Sequence, residues 1–442
     1  MKTSTLRQIV IFLATLPLVP SLFAQEISDL DRERGQTMLR VIRKDIEKHF
    51  YDSTYKGIDL DALFSRGAHR IEVVKSNNEL FAVVADVLNE FEEPWSTFFV
   101  PPTRTTSVEY GWTYQMIGDS CYVTGVKPGS DAEAKGLRVG DRILAIGRDR
   151  PTRKNDYSMR ALLMMLNPQP GMKVTAQTGQ NPPRDVVALA EMKTRKKVTD
   201  LSLELGDADY WDFVREWETY SSLRRHHNHD LDKNIYIWKM TNLGFNAMKE
   251  IKDGIGDTQD KKALILDVRG TTGGHPKTLD YLISRLFDHE INVGHLESRS
   301  ERKDWLVEAS SKTPFRGLLV ILVDSRTAGA AEVLARLVQV EQRGIVIGDT
   351  TVGAIWKARS IIHDVGIGTS IFYTVGVTVE RVFMSDGGTL EGIGVVPDDI
   401  KLPSWSDLAN GRDPVLSYAA WLVGGKLSPE EAGKLFPVEW KK

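Results

Sequence analysis

Cysteine is all but missing from this chain of 442 residues: Cys121 stands alone, which excludes an internal disulfide and a structural zinc site built from thiolates. Long apolar runs are equally scarce. The stretch at residues 9–19 follows Lys2 and Arg7 and precedes Ser21 and Ala24, and it is broken by Pro17 and Pro20. It is too short for a membrane span and reads as a cleaved secretory signal, residues 1–24. The expected location is therefore outside the cytoplasm: the periplasm in a Gram-negative cell, otherwise the medium. No cysteine follows the cut to carry a lipid anchor, and no later run spans a bilayer. Excess charge of one sign is also absent. The formal net charge is -3, more negative by two once Lys2 and Arg7 are removed, so nothing points to nucleic acid as a partner. A P-loop lysine signature and a G-x-G-x-x-G run are both lacking, which argues against a nucleotide. His226, His227, His229 and Asp230 match no familiar metal spacing and read as a solvated polar loop; no metal or other cofactor is expected.

What is present is ordinary globular material, 41% hydrophobic and 26% charged, enough for two or three domains. Residues 25–104 carry the helical period, as in RGQTMLRVIRKDIEKHF and NNELFAVVADVLNEF, until Pro94, Pro101 and Pro102 stop it. Residues 105–194 alternate short apolar runs (CYVTGV, DRILAI, DVVALA) with turn signals, and one helix fits DYSMRALLMML, which describes a small mixed module. Residues 195–405 follow with strand candidates NIYIWKM, ALILDV, GLLVILV and GIVIG separated by helices. The fold class is α/β, with a parallel-type sheet and flanking helices. Residues 406–442 read as two short helices packing back on the body.

The run VKPGSDAEAKGLRVGDRILAIGRDRP in the small module, and Gly136 to Asp141 above all, resembles a bacterial PDZ domain. The resemblance implies capture of an extended peptide as an added strand, with loop N–H groups on its terminal carboxylate. The matching loop is Tyr110, Gly111, Trp112 and Thr113.

Farther on, ALILDVRGTTGG, VDSRTAGAAE, VIGDTTVGA and LEGIGVVPD succeed one another. Together with the PDZ module, this order resembles the C-terminal processing, or tail-specific, serine peptidases over nearly the whole mature chain. In that family a strand-to-helix elbow of T-A-S-A-S-E type carries the nucleophile, and here the sequence reads Thr327-Ala328-Gly329-Ala330-Ala331-Glu332. The serine position falls on Gly329. The lysine general base of a G-K-G type turn falls on Ala354, and the histidine base of the branch with a D-S-H-T type motif falls on Trp95. Serine attack requires a hydroxyl and a base within hydrogen-bonding reach, so the expectation is a pseudo-peptidase that binds protein or peptide C-termini. A possible cleft or oxyanion site comprises Gly273, Gly274 and Ala330, after the glycine turn opened by Gly270. Possible assemblies are with a related active peptidase or with further copies of the chain.

The alternative is an active serine-type endopeptidase with a relocated nucleophile, Ser325 or Thr327, and Lys357 or His275 as base. Each has a plainer reading: Thr327 as helix N-cap, Ser325 as turn residue, Lys357 as surface charge and His275 as helix start. Glu391 would fix a turn beside the cleft, Asp267 and Arg269 would pair in the frame, and Trp211, Trp217 and Trp238 would line a peptide groove or, more simply, pack in the core.

Overall fold

Strands made of uninterrupted β-branched and leucine residues need cover on both faces, and the computed structural model supplies it. It describes residues 27–91, 98–99, 106–160, 163, 169–194, 226–309, 314–355, 357–366, 371–438 and 440. A six-stranded sheet runs in the order Asp399–Ile400, Ile345–Gly348, Leu318–Val323, Ala263–Asp267, Ile235–Lys239, His227–Asp232. All neighbours are parallel except the last pair. Residues 227–232, expected as a loop, are thus an antiparallel edge strand. Its polar residues alternate between half-buried and exposed, as an edge with one wet face allows.

Alternation along the strands assigns each face its helices. Tyr236, Trp238, Leu264 and Leu266 join a core with Met248–Asp257, Pro276–Leu286 and Ala330–Val340. Ile235, Ile237, Ala263 and Ile265 face the other way, onto Val415, Leu416, Ala419, Ala420 and Ala432. The C-terminal segment therefore roofs the second face of the sheet. It has three short helices, Trp405–Ala409, Pro414–Leu422 and Pro429–Leu435, where two were expected. Trp238 is fully buried in the first core, while Trp211 and Trp217 lie outside the described residues.

The N-terminal helices Asp29–His49, Leu60–Val73 and Asn77–Asn89 are capped by Ser28, Asp59 and Ser76, which satisfies end N–H groups. Their apolar faces share the large core with a second sheet that includes the paired strands Lys357–Val365 and Ile371–Met384. The PDZ module has its own core and an antiparallel sheet in the order Trp112–Ile117, Ser120–Val126, Arg142–Ile146, Gly171–Gln177, Arg184–Leu189. Of the helix expected over DYSMRALLMML, Asp156–Arg160 is described. Among the described residues no helix is long and apolar enough to cross a membrane. The signal segment lies outside them.

Candidate functional site: a sealed elbow

The central strand Leu318–Val323 ends at residue 323, and its chain turns into the helix Ala330–Val340 through a stitched elbow. The Asp324 carboxylate accepts from the Gly270 and Arg326 N–H groups at 2.9 and 3.0 Å. The Thr327 hydroxyl, fully buried, lies 3.1 Å from both the Val268 carbonyl and Asp324, and accepts from the Asp324 N–H. Thr327 is therefore not the helix cap expected of it. The cap position is Gly329, and Thr327 pins the elbow to the neighbouring strand's end.

Gly329 has φ 72° and ψ -127°, a conformation that L side chains rarely adopt. A Cβ there would lie 2.7 Å from the Gly273 carbonyl oxygen and 2.9 Å from its Cα. The backbone of the glycine turn thus fills the space that a serine would need. Two hydrogen bonds hold the turn in place: the Ala328 N–H donates to Thr271 O and the Ala330 N–H to Gly273 O, each at 2.9 Å. The structure does bring Gly273, Gly274 and Ala330 together, but the N–H following the nucleophile position is spent on protein.

The lysine-base position is closed as well. Ala354 is 1% exposed, and its N–H donates at 2.9 Å to Glu332. The Glu332 carboxylate also accepts from the N–H groups of Gly353 at 2.6 Å and Gly329 at 3.0 Å, and from the Thr351 hydroxyl. Burial pushes its carboxyl above the ordinary value against the pull of these donors. Glu332 was only a letter in the motif when read from sequence. The available signal was an acid three residues after a cap, on the apolar side of AAEVLARLVQV.

The proposed substitutes do not assemble. The Ser325 hydroxyl donates to the Met116 carbonyl of the PDZ module. Lys357 pairs with Glu380 at 2.9 Å, and His275 caps its helix by accepting from the Lys277 N–H at 3.2 Å. Among the described residues no hydrogen bond joins either hydroxyl to Lys357 or His275. Trp95 lies outside the described residues. Glu391 accepts from the Ile355 N–H at 2.9 Å and so fixes the turn beside Ala354. Asp267 and Arg269 form a buried frame with Lys239 and Asp413. Burial alone would raise Asp267, but Arg269 and Lys239 overcome it and hold that carboxyl well below the usual range. No cluster of histidine, cysteine, aspartate and glutamate suited to a metal occurs among the described residues.

The PDZ loop places Tyr110 and Trp112 in the module's core, at 4% and 3% exposure, so neither projects into a groove. Gly111 has φ 70°, and the Gly111 carbonyl accepts from the Lys127 N–H. Thr113 meets Thr124 at 3.2 Å. The strand Trp112–Ile117 is the last of its sheet. Val123, opposite Tyr114, directs its N–H and C=O to Asp141 and Gly140, so Tyr114 and, two residues on, Met116 turn theirs to the outer edge. That edge is occupied. Tyr114 O accepts from Arg160 of the module's helix and from Arg326 of the elbow, and Met116 O accepts from Ser325. Gln115 reaches Asp324 at 2.8 Å, and Arg153 joins Asp349 and Thr350 O. The module is thus docked against the elbow by the edge strand that follows the expected peptide-binding loop. None of these contacts was read from sequence, because the partners stand 46 positions apart for Arg160 and Tyr114 and about two hundred apart for the contacts between module and elbow.

Comparison with known proteins agrees with this architecture. Family models match as Tricorn protease C1 domain at residues 31–89, PDZ domain at 104–168 and Peptidase family S41 at 234–401. The chain is 23% identical to the tail-specific protease of Haemophilus influenzae, over 92% of this chain and 60% of that protein. It is 26% identical to the carboxy-terminal processing protease CtpA of Bacillus subtilis, over 66% of this chain and 55% of that protein. It spans less than two thirds of the length of either. Mature CPAF shares the fold, with a TM-score of 0.63 at 13% identity over 86% of this chain and 94% of that one. A tricorn C1 domain, a PDZ domain and a peptidase family S41 domain in one chain make this protein a homologue of the tail-specific and carboxy-terminal processing proteases.

Proposed function

We propose that this chain is an exported, catalytically silent form of the tail-specific peptidase scaffold, which holds the C-terminal tails of other proteins by strand addition to its PDZ sheet. The observation that carries the silent half is the Ala330 N–H donated to the Gly273 carbonyl. Acyl transfer needs a free donor beside the nucleophile to stabilise the oxyanion. Here that donor is spent, Gly329 offers no hydroxyl, and Ala354 offers no base.

The binding half rests on the PDZ match and on the end position of Trp112–Ile117 in its sheet. A tail must displace Ser325 and Arg326 from the edge, so tail and elbow compete for the same carbonyls. Burial first, and then the neighbouring Arg160, depress the Arg326 guanidinium, while Asp324 and Asp156 act the other way. Holding a tail withholds it from active peptidases. The same edge would serve a related peptidase or a second copy of the chain presenting its own terminus.

The test uses the purified mature chain with casein, mass spectrometry of products, and a fluorophosphonate acylating probe, beside peptides with free or amidated C-termini. Silence predicts no fragments, no labelled hydroxyl, and binding of free-carboxylate peptides alone. Fragments that vanish on replacing Ser325→Ala and Thr327→Ala would overturn it, and equal binding of amidated peptides would remove the tail reading.

A further inference from the structure

The C-terminal helices do more than roof the sheet. On the side of the sheet away from the elbow helix, a cavity of about 500 Å³ lies between the end of strand Asp399–Ile400, the helix Pro414–Leu422 and the turn that precedes Pro429. Its wall is aromatic. Tyr418 and Trp421, three residues apart on one helix face, stack with ring centroids 5.6 Å apart and planes 20° from parallel. Trp421 is 66% exposed, so this large ring contributes little to the core beneath it. Tyr418 is fixed by donating its hydroxyl to Asp399 at 2.6 Å.

Two cations rim the cavity. The Lys401 ammonium sits 4.9 Å from the centre of the Tyr418 ring, and Lys426 stands exposed in the turn after the helix. Neither is ion-paired among the described residues, and the two carboxylates beside the cavity, Asp399 and Glu431, are each taken by a lining hydroxyl, of Tyr418 and Ser428. The lining hydroxyls are committed, Ser417 to Leu427 O and Ser428 to Glu431. A ligand rich in hydroxyls would therefore find few partners, whereas carboxylates beside apolar or aromatic groups would find both a charge and a stacking surface.

We propose that this cavity is a second docking site, for an acidic segment of a partner protein that carries proline or aromatic residues between its carboxylates. Trp421 is the anchor, and Lys401 and Lys426 choose the sign of the partner's charge. The site lies across the sheet from the elbow and makes no use of the PDZ edge, so it stands or falls independently of tail capture.

The experiment measures fluorescence anisotropy of the full mature chain with labelled peptides. The probes are hexapeptides of glutamate, proline and phenylalanine in varied order, acetylated and amidated so that no free terminus reaches the PDZ edge, and counterparts with lysine for glutamate. Acidic members should bind about tenfold or more tighter than basic ones, with affinity falling as salt rises. Trp421→Ala should lower that affinity about tenfold or more, as loss of an interface anchor does. Lys401→Ala with Lys426→Ala should erase the preference for acid, while Lys303→Ala, an exposed charge outside the cavity lining, should change nothing. Trp421, Lys426 and Lys303 are exposed and Lys401 is half-buried, and thermal melting checks that each variant is folded. Equal binding of acidic and basic peptides, retention of affinity in Trp421→Ala, or no acidic peptide bound up to about 1 mM would overturn the proposal. Binding of tetragalacturonate in place of the peptides would reassign the cavity to an anionic glycan.

Discussion

Gly329→Ser restores the family's nucleophile in name, and the structure predicts that it costs stability and yields no turnover. The new Cβ would stand 2.7 Å from Gly273 O and 2.9 Å from Gly273 Cα, both backbone atoms that no rotamer change can move aside. The backbone term, a non-glycine residue at φ 72° and ψ -127°, costs about 1–3 kcal/mol. Overpacking against the turn adds about 1–3 kcal/mol. For a cooperative unit of the size of the α/β core, each kcal/mol lowers Tm by roughly 2–4 °C, so a fall of roughly 5–20 °C is expected. Gly329→Ala should fall by the same amount, since the clash belongs to Cβ and not to the hydroxyl. Scanning calorimetry reads the stability, and release of soluble fragments from casein reads activity. Adding Ala354→Lys deepens the loss, because that position is 1% exposed and an ammonium placed there lacks water. A Gly329→Ser protein that melts within about 1 °C of its parent, or that digests casein alone or with Ala354→Lys, would refute the sealed elbow.

Glu332→Gln should destabilise by about 2–4 kcal/mol, read as a lower denaturation midpoint, because the amide NH2 would face either the Gly353 N–H and Thr351 hydroxyl or the Gly329 and Ala354 N–H groups, donors that now meet a carboxylate oxygen. Arg326→Ala, and more so with Ser325→Ala, should strengthen binding of free C-terminal peptides several-fold by removing the elbow's donors from the Tyr114 and Met116 carbonyls, with Arg160 still on Tyr114 O; unchanged affinity in titration calorimetry would mean that the edge is not the binding surface. For Asp267 the folded value is depressed, so the unfolded chain takes up the proton first as pH falls. Its stabilisation is present above about pH 4 and is lost as pH drops toward the folded value, and Asp267→Asn should flatten urea midpoints measured between about pH 2 and 4. Burial pushes the Cys121 thiol up to about 12 at 2% exposure, so Ellman's reagent should detect no thiol in the native protein at pH 8 and one after unfolding.

How far the sequence could be read depended on whether the signal was local. ALILDV and GLLVILV announce buried parallel strands because both faces are covered, and every residue of Ala263–Asp267 is buried. The edge strand His227–Asp232 carried no such signal, since its polar residues owe their extended shape to Ile235–Lys239 beside them. Gly329 and Ala354 were legible as vacancies in a motif, yet the motif could not tell whether the vacancies stood open or closed. That depended on Gly273 O and on Glu332, groups whose effect arises only when the elbow, the glycine turn and the 351–354 loop meet. The docking of the PDZ edge was illegible for the same reason: Arg326 and Tyr114 are far apart in sequence and adjacent in space.

An oxyanion hole is a set of backbone N–H groups held without partners, and such groups are costly in a buried place, about 1–3 kcal/mol each. An active peptidase tolerates that cost because the donors act in the transition state. On the proposed silent reading, in which hydroxyl and base are gone, nothing opposes their satisfaction from within. Gly273 O takes the Ala330 N–H, and Glu332 takes those of Gly329, Gly353 and Ala354. Glycine at 329 permits the close approach that the first bond needs, and its positive φ keeps the elbow's path. On that reading the Ala330 bond that would silence the site also stabilises it. A return to catalysis would then require the glycine turn to move outward and the Ala330 N–H to be freed, which is why no single substitution at Gly329 or Ala354 should restore it.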